Sequence, residues 1–350
     1  MAHHKGARRS CNATNLTCFI SSSEPCQTQC CTMDIIGRTA FGHDFSCCKT
    51  LRSSPVAEAF EFLLDDFTQR SFNSVLHPAH LFYWLPTARN RLHATNYAVV
   101  RGAIGDILAE RKELRKQDRA LEHLDILKYM LDAFEEENIA ADAQTLSDNL
   151  VTMLFAGYDT SSITLTYAFY LMARHPDVAA RCRQEVLSAL GATAHATYDD
   201  VQTKLPLCSA VINETLRLYP PAPITVRYTE APVELQPGIV VPKGTMLYLP
   251  IWWIHRSPEN FEDPDAFRPE RFLGAERERM HRYAFIPFSG GARDCVGRRF
   301  ALTEAIAVFS AVVRSVDFEV RSDHVVHVEA VGPVQKPRGG MPLRVRVVQH

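Results

Sequence analysis

FSGGARDCVGRRFA, residues 288–301, is the stretch on which the reading of this chain turns. It carries the pattern Phe288-x-x-Gly291-x-Arg293-x-Cys295-x-Gly297-x-x-Phe300-Ala301, whose fixed positions are too many and too specifically spaced for coincidence. A cysteine sulfur that works as a ligand must be screened from bulk water and still be stabilised as a thiolate. A tight loop with backbone N–H groups aimed at the sulfur does both. Gly291 supplies the backbone freedom such a turn needs, Gly297 lets the following backbone come close to a flat ligand, and Phe288 covers the sulfur. The apolar run after Gly297 reads as a helix to about residue 314, whose N-terminal dipole favours negative charge on Cys295.

Working outward, 255–294 is loop-rich, and before it lie short β-like pieces at 224–228, 239–241 and 245–249, separated by Pro and Gly. Upstream of Pro220 the pattern is helical, over 56–72, 88–117, 123–135, 142–174, 176–190 and 206–218. The tail alternates at Leu343, Val345 and Val347 and reads as a closing strand. The fold class is therefore mainly α with small β-sheets, α+β. Of 350 residues, 46% are hydrophobic and 22% charged, which suits a substantial core; the net charge of −2 points to no nucleic-acid partner and no polybasic membrane surface.

Three further motifs stand out. Glu214-Thr-Leu-Arg217 sets an acid and a base at i and i+3 on one helix. Phe267-Arg-Pro-Glu-Arg271-Phe272 lies between that helix and the cysteine loop. Ala156-Gly157-Tyr158-Asp159-Thr160 interrupts the middle of the longest helix, where a glycine removes bulk and an acid and a hydroxyl stand side by side.

Together these stretches resemble the cytochrome P-450 superfamily of heme-thiolate monooxygenases, over about residues 32–350. The resemblance implies heme b as cofactor, with Cys295 as the axial ligand of the iron and Phe288, Gly291, Arg293 and Gly297 shaping its loop. Arg293 and Arg227 would pair with heme propionates. Glu214, Arg217 and Arg271 would form a buried structural triad. Asp159 and Thr160 would relay protons during dioxygen activation, with Asp159 as the link to solvent. Electrons would come ultimately from NADPH through a reductase; Arg298 and Arg299, which follow the cysteine loop, belong either to a basic face for the donor or to a merely solvated helix face. The substrate would be small and lipophilic, met by Phe155, Ala156, Ala222, Pro223, Ile224, Val226 and residues 331–334. His255 is either a family position or a satisfied core histidine.

Residues 1–31, rich in Ser, Thr, Asn, Gln and Cys, match nothing in the family and are expected to be disordered; 32–350 are expected to form one domain. Cys26, Cys30 and Cys31 lack the second pair that a zinc site needs. No signal peptide or transmembrane run is visible, so the chain is expected to be soluble, although full-length relatives are commonly anchored in the endoplasmic reticulum. The family's early strands and helices have no counterpart here. The alternatives to a monooxygenase are a member that rearranges peroxides without a reductase, which the Asp159-Thr160 pair argues against, and an inactive truncated remnant.

Overall fold

A computed structural model describes residues 27–50, 53–73, 85–117, 125–136, 143–192 and 195–348. Helices come first: α1 (Gln27–Ala40), α2 (Cys47–Thr50), α3 (Pro55–Asn73), α4 (Ala88–Lys116), α5 (Ile126–Glu136), α6 (Ala143–Arg174), α7 (Pro176–Leu190), α8 (Tyr198–Thr203) and α9 (Pro206–Leu218). Strands β1 (Thr225–Tyr228), β2 (Val233–Gln236), β3 (Ile239–Val241) and β4 (Met246–Leu249) follow, then the short helices α10 (Ile251–Ile254) and α11 (Gly274–Arg279). After the cysteine loop come α12 (Arg298–Ser315), β5 (Val316–Glu319), β6 (Val328–Val331), β7 (Val334–Pro337) and β8 (Arg344–Val347).

Local chemistry sets the ends of these helices. Pro176 and Pro206 occupy first-turn positions, where the missing N–H costs no intrahelical bond. Thr87 caps α4 by accepting from Asn90 N, and Thr197 with Asp200 forms a capping box at α8. The strands pair antiparallel, β1 with β4, β2 with β3, β5 with β8 and β6 with β7. Phe318 faces Val345 in the closing ladder.

Helix α1 crosses the boundary expected at residue 31, which is therefore corrected: the helix begins at Gln27. Its composition disguised it, because the side chains it buries include Thr28, Cys30 and Thr32 rather than a run of aliphatics. Thr28 Oγ1 is 2.8 Å from Thr166 Oγ1, and Thr32 Oγ1 donates to the Tyr158 carbonyl at 2.8 Å, so hydroxyls fasten α1 to α6 where apolar side chains would be expected. The rest of that segment, residues 1–26, lies outside the described residues.

Two cores share α6. Its first half contributes Leu146, Leu150, Leu154 and Tyr158 to one, built with α1, α3, α4 and α5. Its second half contributes Ile163, Leu165, Tyr167 and Phe169 to the other, built with α7, α9, α12 and the closing strands. Residues 159–162 fall at the seam. Among the described residues no helix is long and apolar enough to cross a membrane.

Candidate active site

The cysteine loop closes as its sequence demands. Gly291 has φ +78°, in the left-handed region that favours glycine, and Ser289 also adopts positive φ, 62°. Cys295 N donates to Phe288 O at 2.9 Å, pinning the loop's two ends together. Cys295 precedes α12 by three residues, its carbonyl accepting from Arg298 N at 3.3 Å. A Cβ at position 297 would stand 3.8 Å from the Cys295 sulfur, so glycine leaves that side of the thiol open.

The thiol opens into a cavity of about 530 Å³ that is walled mostly by apolar groups. The loop contributes Phe288, Arg293, Cys295 and Gly297, and α12 contributes Phe300, Ala301 and Ala305. Opposite lie Ala156, Gly157, Thr160 and Ser161 of α6, with Ile36 and Ala40 of α1 at one side. Of the residues expected to meet substrate, Ala156, Ala222 and Ile224 line it. Phe155 instead packs against Phe60 and Tyr158 in the first core, and Val226 is exposed on the β1–β4 pair.

The pair on α6 divides. Thr160 borders the cavity and donates its hydroxyl to the Ala156 carbonyl at 2.7 Å. Asp159, one residue earlier and about 100° around the helix, turns away into the protein. Its carboxyl is fully buried, and neither oxygen makes a hydrogen bond of good geometry. Burial pushes its pKa up; Lys336 Nζ, 3.5 Å away on β7, and the nearby Glu61 pull it in opposite directions. The expectation that Asp159 is the link to solvent is corrected on this point: burial between α6 and β7 denies it any solvent contact of its own. Gly157 lines the cavity and has a second role: Ile36, whose Cδ1 would lie 2.8 Å from a Cβ there, packs against it, so glycine also serves the close approach of α1 to α6.

Arg227 does not line the cavity. Its Nη2 donates to Ser289 Oγ at 2.8 Å and to Gly290 O at 3.3 Å, bracing the loop from β1. Arg293, by contrast, lines the cavity and has no carboxylate partner among the described residues. Arg298 lays its guanidinium over the Phe288 ring at 5.6 Å.

Glu214, Arg217 and Arg271 come together in the interior. Arg217 donates to both Glu214 oxygens, at 2.7 and 2.8 Å, and to the carbonyls of His255, Pro264 and Ala266. Arg271 Nε stands 3.4 Å from Glu214 Oε1, an ion-pair contact longer than a hydrogen bond, and its Nη2 donates to Asp263 O. His255 is a core residue: its Nε2 accepts from Ile286 N at 2.9 Å and its ring lies against Phe285, with burial holding its pKa down to about 3.

Two residues here carry no sequence motif of their own. Lys336 is one. The other is Glu304 on α12, whose Oε2 accepts from Ser161 Oγ at 2.6 Å while burial pushes its pKa up to about 7. Long-range partners of this kind leave no spacing signal along a chain.

The donor set fits a heme: one accessible thiol, apolar walls on both sides and an unpaired guanidinium at the edge. Cys295 would hold the iron and Arg293 a propionate.

Comparison with known proteins agrees. The family model described as Cytochrome P450 matches residues 20–340. Cytochrome P450 4A7 of Oryctolagus cuniculus is 32% identical over 323 residues, 90% of this chain and 62% of that protein. Cytochrome P450 3A9 of Rattus norvegicus is 31% identical over 294 residues, 82% of this chain and 57% of that protein. Among solved structures, a cytochrome P450 called CYP102L1 superposes with a TM-score of 0.81 at 26% identity, covering 95% of this chain and 73% of that one. The chain thus spans about 60% of the length of the curated relatives it matches. With a family model covering nine-tenths of the sequence and the same fold in solved relatives, this chain belongs to the cytochrome P450 family.

Proposed function

We propose that this chain is the heme-thiolate part of a monooxygenase that inserts one atom of dioxygen into a lipophilic organic substrate, with Cys295 as the residue that would hold the iron. The single observation that carries the reading is that the Cys295 thiol and the Thr160 hydroxyl border the same apolar cavity. Heme, when bound, supplies the redox-active iron at which dioxygen is reduced and activated, with electrons ultimately from NADPH through a reductase.

The chain's own residues do the rest. Cys295, in a loop locked by its N–H bond to the Phe288 carbonyl, would hold the iron through its sulfur, and Arg293 would neutralise a propionate. The walls formed by Ala156, Ala222, Ile224 and Ala301 exclude water and accept an apolar substrate without a polar anchor. Thr160 commits its hydroxyl proton to Ala156 O, which orients the oxygen as an acceptor towards the cavity. Asp159 holds a proton behind it more readily than a solvated aspartate, because burial opposes its charged form. That acid–hydroxyl pair favours a monooxygenase over a peroxide-rearranging relative, which needs no proton delivery.

The test is spectroscopic. The purified chain given heme, reduced under carbon monoxide, should show a thiolate-type Soret band, and Cys295→Ser should lose it with helix content unchanged. Identical spectra from the two proteins would overturn the assignment of the ligand. A wild-type spectrum lacking any thiolate band would instead mark the chain as an inactive remnant.

A further inference from the structure

The cysteines near the start of the described chain play no part in that function, yet they are brought together by design of the local fold. Helix α1 carries Cys30 and Cys31, and α2 carries Cys47 and Cys48. The two helices are clamped by a single buried side chain: Asp34 accepts from Cys47 N through Oδ1 and from Cys48 N through Oδ2, both at 2.9 Å. Cys30 and Cys31 sit four and three residues before Asp34, hence on the helix face that Asp34 turns towards α2. The Asp34 clamp on the Cys48 N–H sets Cys48 beside the turn of α1 that carries Cys31, near enough for each thiol to act on the other's ionisation. Of the four, Cys48 is exposed and Cys31 half-buried, whereas Cys30 and Cys47 are buried.

We propose that Cys31 and Cys48 form a reversible dithiol–disulfide couple that exchanges with low-molecular-weight disulfides, a modification site separate from the heme cavity. The exchange balances in two steps. The exposed Cys48 thiolate attacks one sulfur of a disulfide RSSR, forming Cys48–S–S–R and releasing RS⁻, which takes the proton lost from Cys48. Cys31 then attacks the Cys48 sulfur of that mixed disulfide; the Cys31–S–S–Cys48 bond forms, the S–S bond to R breaks, and the second RS⁻ takes the proton from Cys31. Two protein thiols are oxidised and one RSSR is reduced to two RSH. Exposure makes Cys48 the entry point, and the Asp34 clamp between α1 and α2 makes the neighbouring Cys31 the resolving thiol.

The surroundings also set the rate. Burial, joined by the Asp34 carboxylate, pushes the Cys31 thiol up to about 11 and the Cys48 thiol up to about 12. Low thiolate content makes attack slow at neutral pH. Helix α1 also presents Ile36 and Ala40 to the cavity, so the bond would lock an element of the cavity wall to its neighbour.

The experiment incubates the full-length chain with oxidised glutathione and maps the product without reduction. Tryptic peptide 10–38 should appear linked to peptide 39–49, lighter by two hydrogens than the sum of the free peptides, with fragmentation assigning the bond to Cys31 and Cys48. Cys31→Ser and Cys48→Ser should each abolish the link, and Cys30→Ser should retain it. The rate should climb about tenfold per pH unit from pH 7 to 10, whereas ordinary cysteines level off near their pKa of about 8.5. A link that persists in Cys31→Ser, a bond assigned to Cys11, Cys18, Cys26 or Cys30, a rate that levels off near pH 8.5, or no link at all would each overturn the proposal. None of these readouts requires heme, so the result stands apart from that of the carbon monoxide spectrum.

Discussion

Glu214 sits at zero solvent exposure, and the interior supplies the hydrogen bonds that water would have given. Two guanidiniums and the Arg268 N–H surround its oxygens, and the carbonyls of His255, Pro264 and Ala266 take the remaining Arg217 protons. Buried ion pairs of this kind hold geometry more than they add stability, yet breaking one strands its partners. Glu214→Ala should therefore lower the unfolding free energy by about 3–5 kcal/mol, measured by chemical denaturation, with helix content retained below the transition. Two other buried groups, His255 and Glu304, contribute to the acid side of the stability curve in opposite directions. His255 has its folded pKa depressed to about 3, so its contribution is present above its unfolded pKa, about 6.5, and is lost as pH falls towards 3. Glu304 has its folded pKa raised to about 7, so its contribution is present below its unfolded pKa, about 4.3, and is lost as pH rises towards 7. Between pH 5 and 6.5 the two slopes nearly cancel. Glu304→Gln should uncover the histidine slope: from pH 5 to 6.5 its stability should rise by about 2 kcal/mol more than the parent's. A variant curve parallel to the parent's would show that Glu304 does not titrate in that window.

At the scale of the element, α6 owes its position to α1 as much as to its own sequence. Ile36 fills the notch at Gly157, and hydroxyls at Thr28 and Thr32 reach across to Thr166 and the Tyr158 carbonyl. A larger residue in the notch must push Ile36 aside. Gly157→Leu should cost about 1–3 kcal/mol by overpacking, and Ile36→Ala should recover part of that loss; a double-mutant cycle of thermal or denaturant midpoints reads the coupling. Additive effects would show that the two side chains do not meet. This contact also marks where the sequence stops being legible. The long helices from residue 55 to 218 could be read to within a few residues, because apolar period and proline stops are local signals; α6 was expected at 142–174 and spans Ala143–Arg174. The glycine-turned cysteine loop was legible for the same reason. The start of α1 was not, since its inward face is made of Thr and Cys. Neither were β2, β6 and β7, four-residue strands whose partners, not their composition, make them strands. Lys336 and Glu304 belong to this class: each meets α6 from more than 140 residues away.

For the molecule as a whole, the seam between the two cores is also the cavity. One core takes the first half of α6 and the other the second half, and between them Ala156, Thr160 and Ser161 border the cavity. A flat apolar ligand held by Cys295 would bridge both, touching Ile36 and Ala40 on one side and Ala301 and Ala305 on the other. Binding to the folded state alone stabilises it by mass action, about 2.7 kcal/mol at a free concentration one hundred times the dissociation constant. Hemin should therefore raise the unfolding midpoint, and because it contacts both cores it should make them melt together. Calorimetry checks both points: without hemin the two cores are free to unfold in separate steps and broaden the transition, and with hemin the calorimetric and van't Hoff enthalpies should converge. Filling the cavity from within, as with Ala301→Trp, should abolish the hemin-dependent shift while leaving the apo protein folded. A midpoint that moves equally in both proteins would place the heme elsewhere on the surface and detach Cys295 from it.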